Sequence, residues 1–328
     1  MNENQELSYD QQGAWRKLMD LLPERLRLDA DEMPSEETWK WRDHYVHLDR
    51  YDVPGARSKI ILQHGVGTNG RQMTLLIGQR LARAGYAVIA LDSPGYGMTR
   101  VGRSLVRFDD WVDLLSDLID RERERDEMPV FLFGLSAGGM LCVHAAGKNR
   151  KVKGIVGLTF LDERIYRLRH ETVIHPLIAP FVPLVVMLGR IPGLRRLRVP
   201  MKLVSKMHTL SNDRALLRVF LRDRSSAGSR VTLAFLSSFM AYRPAVEARD
   251  FDICPVLLAQ PQKDRWTPER LSHLSLAGIR SSFSVRQLEN AGHYPTEEPG
   301  LSQLEEYLIQ FIESNQNVAA GPSDRRGR

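Results

Sequence analysis

A chain of 328 residues, 43% hydrophobic and 26% charged, has the composition of a soluble globular protein with room for one large domain carrying an insertion. Its net charge of +6 is concentrated in residues 160–235, where 14 Lys+Arg face 5 Asp+Glu without interleaved aromatics or zinc-finger spacing; this excludes nucleic acid as the expected partner and leaves a solvated basic face or one drawn to anionic lipid. Two distant cysteines, Cys142 and Cys254, and an N-terminus without basic or apolar leader regions predict a reduced, cytoplasmic protein, with one disulfide left open and no metal or cofactor motif.

Residues 1–38 read as an N-terminal extension with one helix, near Gln11–Arg27. From Trp39 the run WRDHYVHL is strand-like, DVPG is a turn signal, and KIILQ is a second strand, so the two runs are expected to pair as a hairpin. A helix follows over Arg71–Ala84, then YAVIALD, a short apolar run of the type buried in parallel sheets. Phe108, Trp111, Val112, Leu115, Leu118 and Ile119 recur with helical period on one face, and RERERDE closes that helix as a solvated segment. The runs PVFLFG and VKGIVGLTFL are further strands, separated by a small-residue helix from Ala137 to Gly147. Strands alternating with helices over residues 59–161 argue for an α/β fold with a mostly parallel sheet flanked by helices.

That rhythm stops at residues 162–240, which read as helical, arginine-rich and without strands. Within them VIHPLIAPFVPLVVMLGRIPG is shorter than the ~20 apolar residues of a membrane span and is interrupted by prolines, so it is read as a hydrophobic insertion over the sheet edge. The α/β rhythm resumes with CPVLLAQ, a helix over Pro268–Ala277, SFSVRQLE and a last helix over Gly300–Glu313; residues 314–328 read as a disordered tail. The core thus comprises residues 39–161 and 241–313.

Chemistry is concentrated in GLSAGG, residues 134–139. Gly-x-Ser-x-Gly occurs by chance about 0.1 times in a chain of this length, so its setting matters. Ser136 directly follows an apolar strand and precedes a helix, where a sharp turn exposes the hydroxyl near a helix N-terminus. A serine nucleophile needs a base, and among nine histidines His293, in the loop NAGHYP after the last strand, occupies the right chain order. Asp264, at the end of VLLAQPQKD, is the preferred acid to orient it, with Asp162 as the rival. Oxyanion donors are expected at the Ala137 amide and, from the glycine-rich HGVG, the Val66 amide, with His64 shaping the loop. His64, Gly65 and Leu135 would also border the substrate.

In order along the chain, HGVG at 64–67, DSPGYG at 92–97, GLSAGG at 134–139, Asp264 and Gly292–His293 together resemble the α/β-hydrolase superfamily, in its monoacylglycerol-lipase and serine-aminopeptidase branch. The resemblance spans residues 59–312 and implies a helical cap at 162–240 and cofactor-independent hydrolysis. The expected substrate is a small-molecule carboxylic ester with a hydrophobic acyl group, cleaved through an acyl-enzyme. Acyl lactones, aminoacyl amides and C–C bonds are the alternatives on the same residues, and a non-catalytic binding module is disfavoured. Dehalogenase and epoxide hydrolase activities are also disfavoured, because Ser136 stands where they need aspartate. Ile174, Leu177, Phe181, Leu184 and Met187 either line an acyl-chain pocket or pack the cap, whose basic surface would meet anionic membrane. Oligomeric state is left open.

Overall fold

The computed structural model describes residues 8–316 and contains one eight-stranded sheet. Its strands are β1 (Ser35–Trp41), β2 (His44–Tyr51), β3 (Lys59–Gln63), β4 (Ala87–Leu91), β5 (Val130–Gly134), β6 (Val152–Gly157), β9 (Val256–Pro261) and β10 (Phe283–Leu288); β7 (Arg198–Pro200) and β8 (Arg230–Thr232) form a separate antiparallel pair. The large sheet runs β1-β2-β4-β3-β5-β6-β9-β10, antiparallel at β1–β2 and β2–β4 and parallel elsewhere. This is the α/β-hydrolase fold. Strands β3, β4 and β5 are buried at every residue, as expected of apolar runs covered on both faces.

The helices are α1 (Ala14–Leu21), α2 (Gly70–Met73), α3 (Gln79–Arg83), α4 (Phe108–Arg125), α5 (Ala137–Asn149), α6 (Tyr166–Thr172), α7 (Val182–Leu188), α8 (Arg214–Arg222), α9 (Leu233–Met240), α10 (Glu269–Ser275) and α11 (Gly300–Asn315). A π-helical turn, Thr74–Gly78, joins α2 to α3 within the segment expected to be one helix. The six apolar residues singled out on α4 are all buried, and α4 packs on α5.

Five expectations change. The run from Trp39 is itself interrupted: β1 begins at Ser35, inside the stretch read as an extension, and turns into β2 at Arg42, whose φ is 53°. The hairpin of β2 with β3 does not form, because β4 lies between them. The DVPG turn does exist (Val53 O accepts from Ala56 N at 3.1 Å), but fully buried β3 takes apolar parallel neighbours on both edges. The N-terminal helix is short because Leu22 turns extended before Pro23. Residues 162–240 are not free of strands: β7 and β8 pair there. At the other end, α11 continues to Asn315, and the rest of the predicted tail from residue 317 lies outside the described residues.

Cys142 and Cys254 are buried and free. No helix among the described residues is long and apolar enough to cross a membrane.

Candidate active site

The parallel strands bring four loops to one edge of the sheet: HGVG after β3, the Ser136 turn after β5, the Asp264 loop after β9 and the His293 loop after β10. Ser136 has φ 59° and ψ −126°, a sparsely populated conformation for a residue with a Cβ, held between β5 and the N-terminus of α5. The turn closes tightly enough that a Cβ at Gly138 would lie 2.5 Å from the Gln63 carbonyl oxygen. Ser136 is 5% exposed.

Gly65 lies directly against this turn. A Cβ there would sit 2.6 Å from the Leu135 carbonyl oxygen, 3.1 Å from the Ser136 Cβ and 3.4 Å from the Ala137 amide nitrogen. The HGVG backbone therefore approaches the start of α5 as closely as chain chemistry permits, bringing the Val66 and Ala137 region together; both residues are buried. Leu135 is buried as well.

His293 Nδ1 donates to Asp264 Oδ2 at 2.8 Å, and both side chains are 1% exposed. The amides of Trp266 and Thr267 donate to Asp264 Oδ1 at 2.7 and 2.9 Å. Thr267 Oγ1 donates to Asp264 Oδ2 and lies 3.1 Å from His293 Nδ1, so its oxygen can share that ring proton. Burial pushes the Asp264 pKa up, but the His293 charge and the His293 and Thr267 hydrogen bonds outweigh it and hold the carboxyl below its usual value. With Nδ1 protonated, Nε2 is the basic nitrogen, and it is buried without a hydrogen-bond partner among the described residues. Trp266 packs against the ring at 4.8 Å between centroids. Asp162 is elsewhere engaged, in an ion pair with Arg164 at 2.6 Å.

A family model described as serine aminopeptidase, S33, matches residues 54–300. The chain belongs to that family. Among curated proteins, the S33-family chain is 33% identical to "Phospholipase YtpA" of Bacillus subtilis over 101 residues, 30% of the chain and 38% of that protein. It is 29% identical to "Monoglyceride lipase" of Saccharomyces cerevisiae over 139 residues, 39% of the chain and 44% of that protein. The matches thus span less than half of either relative. A crystal structure of a soluble variant of the Saccharomyces cerevisiae monoglyceride lipase, bound to a substrate analogue, superposes with a TM-score of 0.71 at 17% identity, covering 91% of this chain and 99% of that one. The resemblance read from the ordered motifs is borne out at the level of fold and branch.

In this S33-family chain His64 is not placed as a base. Its Nδ1 donates to Gly65 O at 2.7 Å and its Nε2 accepts from Ser93 N at 3.0 Å, while burial lowers its pKa and keeps the ring neutral. Leu177, Phe181, Leu184 and Met187 are exposed, at 74, 60, 45 and 53%. They form a solvent-facing ridge, while Ile174 is half-buried.

Sequence reasoning missed Thr267 and Trp266, which carry no motif, and the N-terminal contribution. Tyr9 is fully buried, and its hydroxyl donates to Asp92, 3.0 Å from both carboxylate oxygens. Asp92 in turn accepts from Gly70 N at 2.7 Å and Met98 N at 2.8 Å and pairs with His47 at 3.1 Å, bracing the loops behind HGVG. Glu36, His47 and Asp49 cluster as metal ligands could. Arg71 already serves those carboxylates, bidentate to Asp49 at 2.6 and 2.8 Å and 3.3 Å from Glu36, so a guanidinium occupies the cationic role.

Proposed function

We propose that the chain is a serine hydrolase of carboxylic esters with hydrophobic acyl groups. The observation that carries this reading is the buried Asp264–His293 pair, which leaves Nε2 as a free base at the same sheet edge as a serine on a strained turn. Ser136 Oγ attacks the ester carbonyl as His293 Nε2 takes its proton, and the Val66 and Ala137 amides bind the oxyanion. His293 then protonates the leaving alcohol, and water, activated by the same nitrogen, releases the acid. Asp264 holds the tautomer and stabilises the imidazolium, and its depressed pKa keeps it charged for that purpose. A fluorophosphonate should label wild type and not Ser136→Ala of unchanged circular dichroism; equal labelling of both removes Ser136 from the reaction.

The acyl preference and location of work follow from residues 162–240, which we read as a cap. Met207 of this segment approaches HGVG, with its Sδ 3.0 Å from where a Gly67 Cβ would be. The ridge of Leu177, Phe181, Leu184 and Met187, together with exposed Ile191, Leu197 and Leu203, lies among the exposed Arg190, Arg195 and Lys202. An apolar face with basic flanks suits the interface of an anionic bilayer, where a lipid-like ester would be found. The names of the phospholipase and monoglyceride lipase relatives support an ester substrate of this type. Hydrolysis of p-nitrophenyl esters should favour medium or long chains over acetate and over aminoacyl arylamides. Preference for acetate or arylamides would overturn the acyl reading. Sedimentation with anionic vesicles that is weakened by salt and by Leu177→Ser/Phe181→Ser tests the bilayer contact, and sedimentation that neither changes refutes it.

A further inference from the structure

A second cleft, of about 490 Å³, opens between the loop after β4 and the β7–β8 region, and none of Ser136, Asp264, His293, Val66 or Ala137 lines it. Five arginines do: Arg103 from the core loop, Arg196 and Arg198 at the entry to β7, Arg224 after α8, and Arg230 at the start of β8. No aspartate or glutamate lines the cleft, and among the described residues none of the five forms an ion pair with a carboxylate. Several other arginines, by contrast, are held by carboxylates: Arg50 by Glu122 at 2.8 Å, Arg71 by Asp49 at 2.6 Å and Arg164 by Glu247 at 2.8 Å. All five cleft arginines are exposed, so solvent screens their mutual repulsion, and among the described residues no carboxylate lines the cleft to offset it.

The floor is of a different kind. Tyr96, Trp111 and Phe235 are buried aromatics that border the cleft, with Trp111 and Phe235 at 4.9 Å between centroids. The floor also backs onto the oxyanion loop: Tyr96 donates its hydroxyl to Val66 O at 2.7 Å, and the Tyr96 and Trp111 rings pack on His64 at 5.4 and 5.5 Å.

We propose that this cleft binds an organic phosphate monoester, the guanidinium forks taking the phosphate oxygens and the aromatic floor taking the carbon skeleton. The planar forks match phosphate geometry bidentately, which a general attraction to negative surfaces would not require. Because the arginines come from four stretches on both the core and residues 162–240, the ligand would bridge the two parts next to the loop that carries Val66. The phosphate has two sources of the same chemistry, a lysophospholipid head group or a free phosphate ester.

The test is calorimetric titration of full-length Ser136→Ala protein with glycerol phosphate, with monomeric lysophosphatidate and, as the neutral control, with glycerol and monoacylglycerol. Catalysis is not read out, so failure of the esterase reading and failure of this one are separable. The expected result is saturable binding of at least one phosphate ester, weakened at least about tenfold by Arg198→Gln/Arg224→Gln/Arg230→Gln and reduced by salt. Arg103→Gln/Arg196→Gln, which leaves the β7–β8 pair itself intact, carries the comparison should the triple variant misfold. Equal binding of glycerol phosphate and lysophosphatidate assigns the site to a free phosphate ester; binding of lysophosphatidate alone assigns it to a lipid head group. No saturable phosphate binding, binding indifferent to the arginines, or equal affinity for the neutral controls overturns the proposal.

Discussion

Adding one methyl group at Gly65 should separate the two proposed oxyanion donors, the Val66 and Ala137 amides, without unfolding the protein. The new Cβ of Gly65→Ala would meet the Leu135 carbonyl oxygen at 2.6 Å, and restoring an ordinary contact of 3.4 Å requires about 0.8 Å of movement. The opposing atom is backbone, and it belongs to the turn that already holds Ser136 at φ 59°, so the turn has little freedom to yield. HGVG must therefore move away from the start of α5, carrying the Val66 amide off its line to the oxyanion. Loss of one such donor costs about 2.7–4 kcal/mol of transition-state stabilisation, or about 10²–10³ in kcat. The overlap itself should destabilise the fold by only about 1–3 kcal/mol. Steady-state hydrolysis of a p-nitrophenyl ester, with urea denaturation in parallel, separates the two effects. Gly13→Ala is the control, since a Cβ there meets nothing within 4 Å. A Gly65→Ala protein with kcat within about threefold of wild type would show that the close approach of the two loops does not set the oxyanion geometry.

Thr267→Val removes the hydroxyl shared by Asp264 and His293, and hydrogen bonds to charged groups contribute about 1.5–3 kcal/mol, so kcat should fall about 10- to 100-fold with KM little changed and Thr267→Ser restoring it. Unchanged kcat in Thr267→Val would make that hydroxyl incidental. Tyr9→Phe should cost about 1–3 kcal/mol in urea denaturation, because buried Asp92 loses a donor; an unaltered midpoint would show that the N-terminal segment does not brace the core. Burial alone would lower the pKa of His47, yet the Asp92 carboxylate 3.1 Å away and Glu36, hydrogen-bonded at 2.6 Å, raise it to about 10. A raised histidine pKa means that the folded state binds the proton more tightly: the stabilisation is complete below about pH 6.5 and is lost as pH rises through about 10. The stability gap between wild type and His47→Gln should accordingly narrow from pH 6 to pH 10, and a gap that is constant or widens contradicts the charged pair.

The features legible from sequence were those decided within a few residues. The run VFLF, the small-residue turn at Ser136 and the helix from Ala137 are contiguous, so their local geometry is written in one stretch of chain. The apolar face of α4 follows from a 3.6-residue period for the same reason. The strand–helix alternation sufficed for a mostly parallel sheet, and the strand-end positions of Asp264 and His293 pointed to a common edge.

Only the tertiary structure decided contacts whose partners are distant in sequence. DVPG is a true turn, yet whether its two strands pair depends on β4, which arrives about thirty residues later and takes the place between them. Thr267 reads as an ordinary polar loop residue until the β10 loop brings His293 beside it. The apolar run at residues 177–187 has the same composition whether buried or exposed, and only packing turned Leu177 and Phe181 outward. The five cleft arginines are scattered from 103 to 230 among many others. What sets them apart is that the fold gathers them with no carboxylate among the described residues lining the cleft, and a local stretch of sequence cannot show which distant side chains fail to meet.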